Sequence, residues 1–128
     1  MPLPKFYICE HCKNLIEMLD SPANVPVVCC AERMKELIPN SVDASSEKHV
    51  PVISVNGDTV EVSVGSVAHP MLEEHCIEWI CLACEHGVYR RYLSPGEEPR
   101  AVFSLNGDKP LAAYAYCNIH GLWVAKLG

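Results

Sequence analysis

Apolar and polar residues alternate with a period of two over most of the chain from His49 onward. "VPVISV" and "TVEVSVG" flank Asn56-Gly57-Asp58, a pattern that predicts strand, turn and strand, with Asn-Gly supplying the positive φ angles of the turn. "CIEWICLA", "VYRRYL", "AVFSL", "LAAYAYC" and "LWVAKL" are further short β segments, and "SPGEEP" and "LNGDKP" separate some of them. Strands of this length and spacing predict a small antiparallel sandwich of immunoglobulin-like type. The pattern breaks at "AHPMLEEHC". There Pro70 is placed to open a single helical turn that carries His75 back towards His69.

The first 38 residues follow a different rule. "KFYICEHCKNLIEML" reads as a strand, a two-cysteine knuckle and a return strand, and "VPVVCCAERMKELIP" as two more cysteines with a short helix-like tail. "PNSVDASSE" has little to pack and reads as a linker. The expected organisation is therefore all-β in two parts: a knuckle domain over 1–38, a linker over 39–46 and the sandwich over 47–128. A piece under about 40 residues cannot bury enough apolar surface to fold unaided, so the first part needs a metal, a disulfide or a partner.

Charge and composition narrow the function classes. Of 128 residues, 49% are apolar and 20% charged, which is the balance of a globular protein. The net charge of −6 leaves no broad basic footprint, so nucleic acid is not the expected partner. No apolar run approaches the ~20 residues that cross a bilayer. "MPLPKFYICEHC" lacks an apolar signal core, so a cytosolic location is expected. In a reducing cytosol the eight cysteines point to metal or redox chemistry instead of a disulfide framework.

Cys9-x-x-Cys12 and the adjacent pair Cys29-Cys30 offer four thiolates. A CxxC turn lets two sulfurs face one point, and a tetrahedral set of four suits zinc or iron alike. The adjacent pair is unusual, because neighbouring side chains normally point apart. His11, inside the knuckle, reads as a solvent-facing turn residue.

Four of the other five histidines gather in three stretches. "EKHVPV" holds His49 just after the linker, "AHPMLEEHCIEWI" holds His69 and His75, and "YCNIHGLW" holds Cys117 and His120. Together these stretches resemble the iron site of the superoxide reductase family, and nearly the whole chain resembles its two-iron form, the desulfoferrodoxins. The resemblance implies a desulforedoxin-like first domain whose iron is bound by Cys9, Cys12, Cys29 and Cys30. It implies a second iron with His49, His69, His75 and His120 as equatorial ligands and Cys117 as the axial thiolate.

Five ligands on a metal that accepts six leave one position open, whereas a structural zinc would be closed and four-coordinate. The activity implied is one-electron reduction of superoxide to hydrogen peroxide without release of dioxygen. Four neutral imidazoles and one thiolate leave Fe²⁺ at net +1, which attracts a small anion. Four thiolates leave it at −2, a centre that repels anions and only passes electrons. Backbone amides of Asn118 and Ile119 are the expected donors to the Cys117 sulfur. The resemblance gives Lys48 the role of drawing in the anion and ordering the proton-donating water. It gives Glu47 that of closing the sixth position of the oxidised iron. A rubredoxin-like electron donor and a homodimer are implied in the same way.

Cys76, Cys81 and Cys84 have no place in this pattern and read as small buried hydrophobes, with Trp79 and Trp123 as sandwich core. The alternative from another class is a non-enzymatic electron-transfer or metal-binding protein that works through the four-cysteine site alone.

Overall fold

The computed structural model describes residues 3–127, which fall into two compact units that meet at the Ile38–Pro39 bond. In the smaller unit, β1 (Lys5–Ile8) pairs antiparallel with β2 (Leu15–Met18) on one side. On its other side it pairs with β5 (Lys35–Glu36). β3 (Val28–Cys29) and β4 (Glu32–Arg33) form a separate two-residue hairpin. Phe6, Cys9 and Met34 are its buried apolar residues, a core far too small to specify a fold by itself.

The helix-like tail expected after Cys30 is not formed. Cys30 and Ala31 both take positive φ, 53° and 63°, which turns the chain back on itself. Met34 N–H then donates to Val27 O (2.8 Å) and Leu37 N–H to Phe6 O (2.8 Å). These cross-strand bonds take the donors that a helix would use within itself.

The larger unit is a seven-stranded antiparallel sandwich. One sheet has the order β10-β7-β6, from β6 (Pro51–Asn56), β7 (Thr59–Val64) and β10 (Arg100–Ser104). The other has the order β12-β11-β8-β9, from β8 (Ile77–Cys84), β9 (Val88–Tyr92), β11 (Pro110–Cys117) and β12 (Gly121–Lys126). Val60, Val62 and Val64 of β7 and Ala101 and Phe103 of β10 point inward on alternate residues. They meet Ile77, Ile80 and Leu82 of β8 and Ala113, Ala115 and Cys117 of β11. The period-two pattern read from sequence is this inner face. The β6–β7 turn forms where Asn56-Gly57-Asp58 places it, with Asn56 paired to Thr59; only Gly57 takes positive φ there (61°).

One short helix precedes the sandwich: α1, Ser46–His49. His49 thus ends a helical turn and does not open a strand. Asn40, in the 39–46 stretch, is tied to β12: its backbone N–H donates to Leu122 O (3.0 Å), its Nδ2 to Val124 O (3.1 Å), and Val124 N–H to its Oδ1 (2.8 Å).

The helical turn expected at Pro70–Glu74 is absent. The Pro70 carbonyl accepts from the His69 ring (2.7 Å) and the Met71 carbonyl from Gly96 N–H (2.8 Å), so neither is left for a helical bond. Leu72 and His75 instead exchange backbone hydrogen bonds of 2.9 and 3.2 Å and close a tight non-helical turn. Register gathers the loops: Pro51 pairs with Val64, and Cys117 pairs with both Ile77 and Gly121. α1, the 65–76 loop and the 118–120 turn therefore all emerge at these paired strand ends.

Candidate metal centres

In the smaller unit the sulfurs of Cys9, Cys12, Cys29 and Cys30 lie within 4.8 Å of one another. The knuckle is closed by Lys13 N–H to Cys9 O and Cys9 N–H to Asn14 O, both 2.8 Å. Lys13 takes the positive φ (66°) that this tight return needs. The adjacent pair reaches one point because Cys30 is left-handed, which rotates its side chain away from the alternating direction of a strand. Cys12 and Cys29 sulfurs are 3.6 Å apart, and Asn14 Nδ2 donates to Cys29 Sγ at 3.7 Å.

The backbone amide of Cys12 holds the Cys9 thiol down to about 6, whereas the neighbouring Cys12 thiol pushes Cys30 up to about 12. Crowded sulfurs without a cation cannot all ionise, and a bound cation removes that conflict. His11 lies on the surface and pairs with Glu32 at 3.1 Å, so it stays out of the sulfur cluster.

The second cluster sits at the loop end of the sandwich. His49, His69, His75 and Cys117 each bring a donor atom within 4.8 Å of the others. His120 stands beside them, with its Nδ1 3.1 Å from His49 Nε2 and 3.9 Å from Cys117 Sγ. His69 Nε2 is 3.2 Å from His49 Nε2. Carbonyls orient two of the rings from behind: His49 Nδ1 donates to Ser45 O and His69 Nδ1 to Pro70 O, each at 2.7 Å. Each bond fixes the tautomer that presents Nε2 as a lone-pair donor.

Burial pushes the His69 imidazole down to about 4 and lowers His49 as well, so both rings are neutral at pH 7. Burial raises the Cys117 thiol, against the amides of His120 and Ile119, which lower it. His120 N–H donates to the sulfur at 3.4 Å. The donors expected from sequence were Asn118 and Ile119. The Asn118 amide is turned instead to Cys76 O (3.2 Å).

His75 Nε2 is buried and has no partner among the described residues, a cost that native structures rarely leave uncompensated. An orphaned imidazole nitrogen, neutral rings and a buried thiol facing one point are what a thiophilic, imidazole-binding cation needs. The donor set therefore fits an iron.

Two features of the wall bear on the site. The Trp123 ring is 2% exposed and stacks on His49, with centroids 4.8 Å apart, while its Nε1 donates to His120 O at 3.1 Å. Gly65 abuts the backbone of α1 so closely that a Cβ there would lie 2.5 Å from Glu47 O. Val67 N–H and Ser66 Oγ both donate to that same oxygen, at 2.9 and 3.2 Å. Glu47 and Lys48 are exposed on the helical turn that ends in buried His49.

Comparison with known proteins points one way. The desulfoferrodoxin family profile matches residues 41–126. The chain is 50% identical over 120 residues to a desulfoferrodoxin of Syntrophotalea carbinolica, covering 94% of both chains. This chain belongs to the desulfoferrodoxin family.

It is 45% identical over 101 residues to a superoxide reductase of Thermococcus kodakarensis, covering 65% of this chain and 88% of that one. The crystal structure of the superoxide reductase from Treponema pallidum superposes with a TM-score of 0.84 at 38% identity, covering 98% of this chain and all of the other. The two donor sets fit the two iron centres of a desulfoferrodoxin: eight of the nine side chains named for them from sequence lie in the two clusters, and His120 stands beside the second.

The leftover cysteines form no third centre among the described residues. Cys84 packs into the sandwich core, while Cys81 lies on the other face of β8, where Arg90 Nη2 reaches its sulfur at 3.7 Å. Trp79 was expected in that core. It lies instead on the outer face of β8, stacked on Tyr116 with centroids 5.7 Å apart, because the bulge near the start of β8 reverses its side. Gly65 was not singled out in the sequence, although a glycine closing a strand ("EVSVGS") signals close backbone approach.

Proposed function

We propose that this chain is a superoxide reductase that converts superoxide to hydrogen peroxide by adding one electron and two protons, with no dioxygen released. The observation that carries the reading is the convergence of four imidazoles and one thiol at one end of the sandwich. His49, His69, His75, His120 and Cys117 would hold the catalytic iron, and Cys9, Cys12, Cys29 and Cys30 the other. When bound, the catalytic iron would supply a redox-active cation that can take a small anion and pass it an electron.

The residues do the rest. Neutral imidazoles add no charge to the second centre, so its five donors bring one negative charge where the first set brings four. An anion is therefore drawn to the second and repelled from the first. Lys48 adds local positive charge in a protein of net charge −6 and orders the water that donates a proton. Glu47, its neighbour, would be the carboxylate available to bind the iron once it is oxidised. The four-sulfur centre only passes electrons. That division supports two domains, a knuckle over 1–38 and a catalytic sandwich over 47–128 joined through 39–46.

A small electron-transfer protein of rubredoxin type would supply the electron. The smaller unit exposes Leu19, Val25, Val28 and Ile38, apolar surface that supports a homodimer. None of the eight cysteines is in a disulfide, which supports the cytoplasm as its compartment. No helix among the described residues is long and apolar enough to cross a membrane.

The test is pulse radiolysis of the reduced two-iron protein. Each superoxide consumed should yield one hydrogen peroxide and no dioxygen; dioxygen at half the superoxide consumed would mean dismutation and would sink the reading. Lys48→Ala should slow consumption by about three- to tenfold at low ionic strength and flatten its salt dependence. An unchanged rate at low salt would remove Lys48 from this role.

A further inference from the structure

We infer that Asn118 is a positioning residue that sets the place of His75 relative to Cys117 and His120. Its side chain makes two hydrogen bonds across to the other loop. Cys76 N–H donates to Asn118 Oδ1 at 3.0 Å, and Asn118 Nδ2 donates to Glu74 O at 3.0 Å. Its backbone N–H adds a third bond, to Cys76 O at 3.2 Å. Glu74 and Cys76 are the residues on either side of His75. Asn118 itself stands between Cys117 and His120. One amide group thus spans the two ligand-bearing loops and grips the second on both flanks of its histidine.

His75 needs this more than its neighbours do. The rings of His49 and His69 are oriented from behind by the Ser45 and Pro70 carbonyls. His120 is braced by Trp123 Nε1 on its carbonyl. Among the described residues no hydrogen bond orients the His75 ring: its Nε2 is buried and unpaired, and the ring meets those of His69 and His120 only edge-on, at centroid distances of 4.7 and 5.2 Å. Its aim is therefore set by its backbone, through the Leu72 turn and the Asn118 bridge. Asparagine suits the bridge because it offers an acceptor and a donor at once. Aspartate keeps only the acceptor, and alanine keeps neither.

The inference rests on the proposed reading of the second centre, and the test separates the two. The two-iron protein, Asn118→Ala and Asn118→Asp are each challenged with an iron(II) chelator, and loss from the two centres is followed through their separate visible bands. If the unmodified protein holds no iron outside the four-cysteine centre, the reading of the site fails.

Given that it does, Asn118→Ala should release the second iron about 10–100-fold faster, the scale expected when an outer partner of a ligand is removed. Asn118→Asp should fall between, because it retains the Cys76 bond. The Cys117 thiolate band should shift in both, while the four-cysteine band and its release rate stay unchanged. Three results would overturn the inference: Asn118→Ala releasing iron at the unmodified rate, aspartate no better than alanine, or both irons lost together, which would mean general unfolding.

Discussion

Cys117→Ser should abolish the thiolate charge-transfer band of the second centre and leave the four-cysteine spectrum untouched. Serine is close to cysteine in size, and Cys117 is fully buried in the core, so the fold should survive. The oxygen can still accept the His120 N–H that now reaches Sγ at 3.4 Å. What changes is chemistry: a hydroxyl does not ionise near pH 7, so the site loses its one anionic donor, and with it the polarisable sulfur that thiolate ligation supplies in other iron proteins. Loss of superoxide consumption should exceed the roughly 10–100-fold that follows removal of a mere outer partner. Visible spectra and iron content per chain decide the matter. A band that persists in Cys117→Ser would place the sulfur outside the centre.

The parts of the molecule legible in sequence are those in which residue type and spacing act locally. β7 shows this: Val60, Val62 and Val64 are buried while Glu61 and Ser63 are partly exposed, so its inward face can be read from alternation alone. The four sulfurs were legible because a CxxC knuckle and an adjacent cysteine pair are locally diagnostic, whereas the imidazole set was named through the family resemblance of three separated stretches.

What was not legible depends on contacts between distant segments. α1 is one turn long, too short to be stable by propensity, and it is fixed by the 65–67 loop bonding to Glu47 O. The Pro70 turn failed because a histidine ring and the Gly96 amide claim its carbonyls, and no local pattern announces such partners. The tail after Cys30 depends on two non-glycine residues at positive φ, a conformation that sequence-based propensity discounts. The Cys117 donors moved by one residue for a related reason: the Asn118 amide was already engaged by Cys76.

Gly65→Ala should strip the second iron without touching the first. The added Cβ would lie 2.5 Å from Glu47 O, 3.0 Å from the Lys48 carbonyl carbon and 3.1 Å from Val50 O. All three are backbone atoms, so no side chain can rotate away, and α1 must lift off the loop that holds it. The bonds from Val67 N–H and Ser66 Oγ to Glu47 O would stretch first. His49 would follow, since it ends the same four-residue turn. Overpacking of this kind costs about 2 kcal/mol, or roughly 10 °C in the melting of a unit this size. Affinity for the second iron should fall by more than about tenfold, because a displaced ligand cannot be replaced by its neighbours. Gly87→Ala is the matched control: its Cβ would meet only Asp108 Oδ2 at 3.7 Å and Tyr89 Cε1 at 3.8 Å, ordinary contacts in a region apart from the ligands. Iron content per chain and thermal melts of both variants separate the cases. If Gly65→Ala behaves like Gly87→Ala, the turn that carries Glu47, Lys48 and His49 is not seated by this contact, and another feature must fix where the anion meets its lysine.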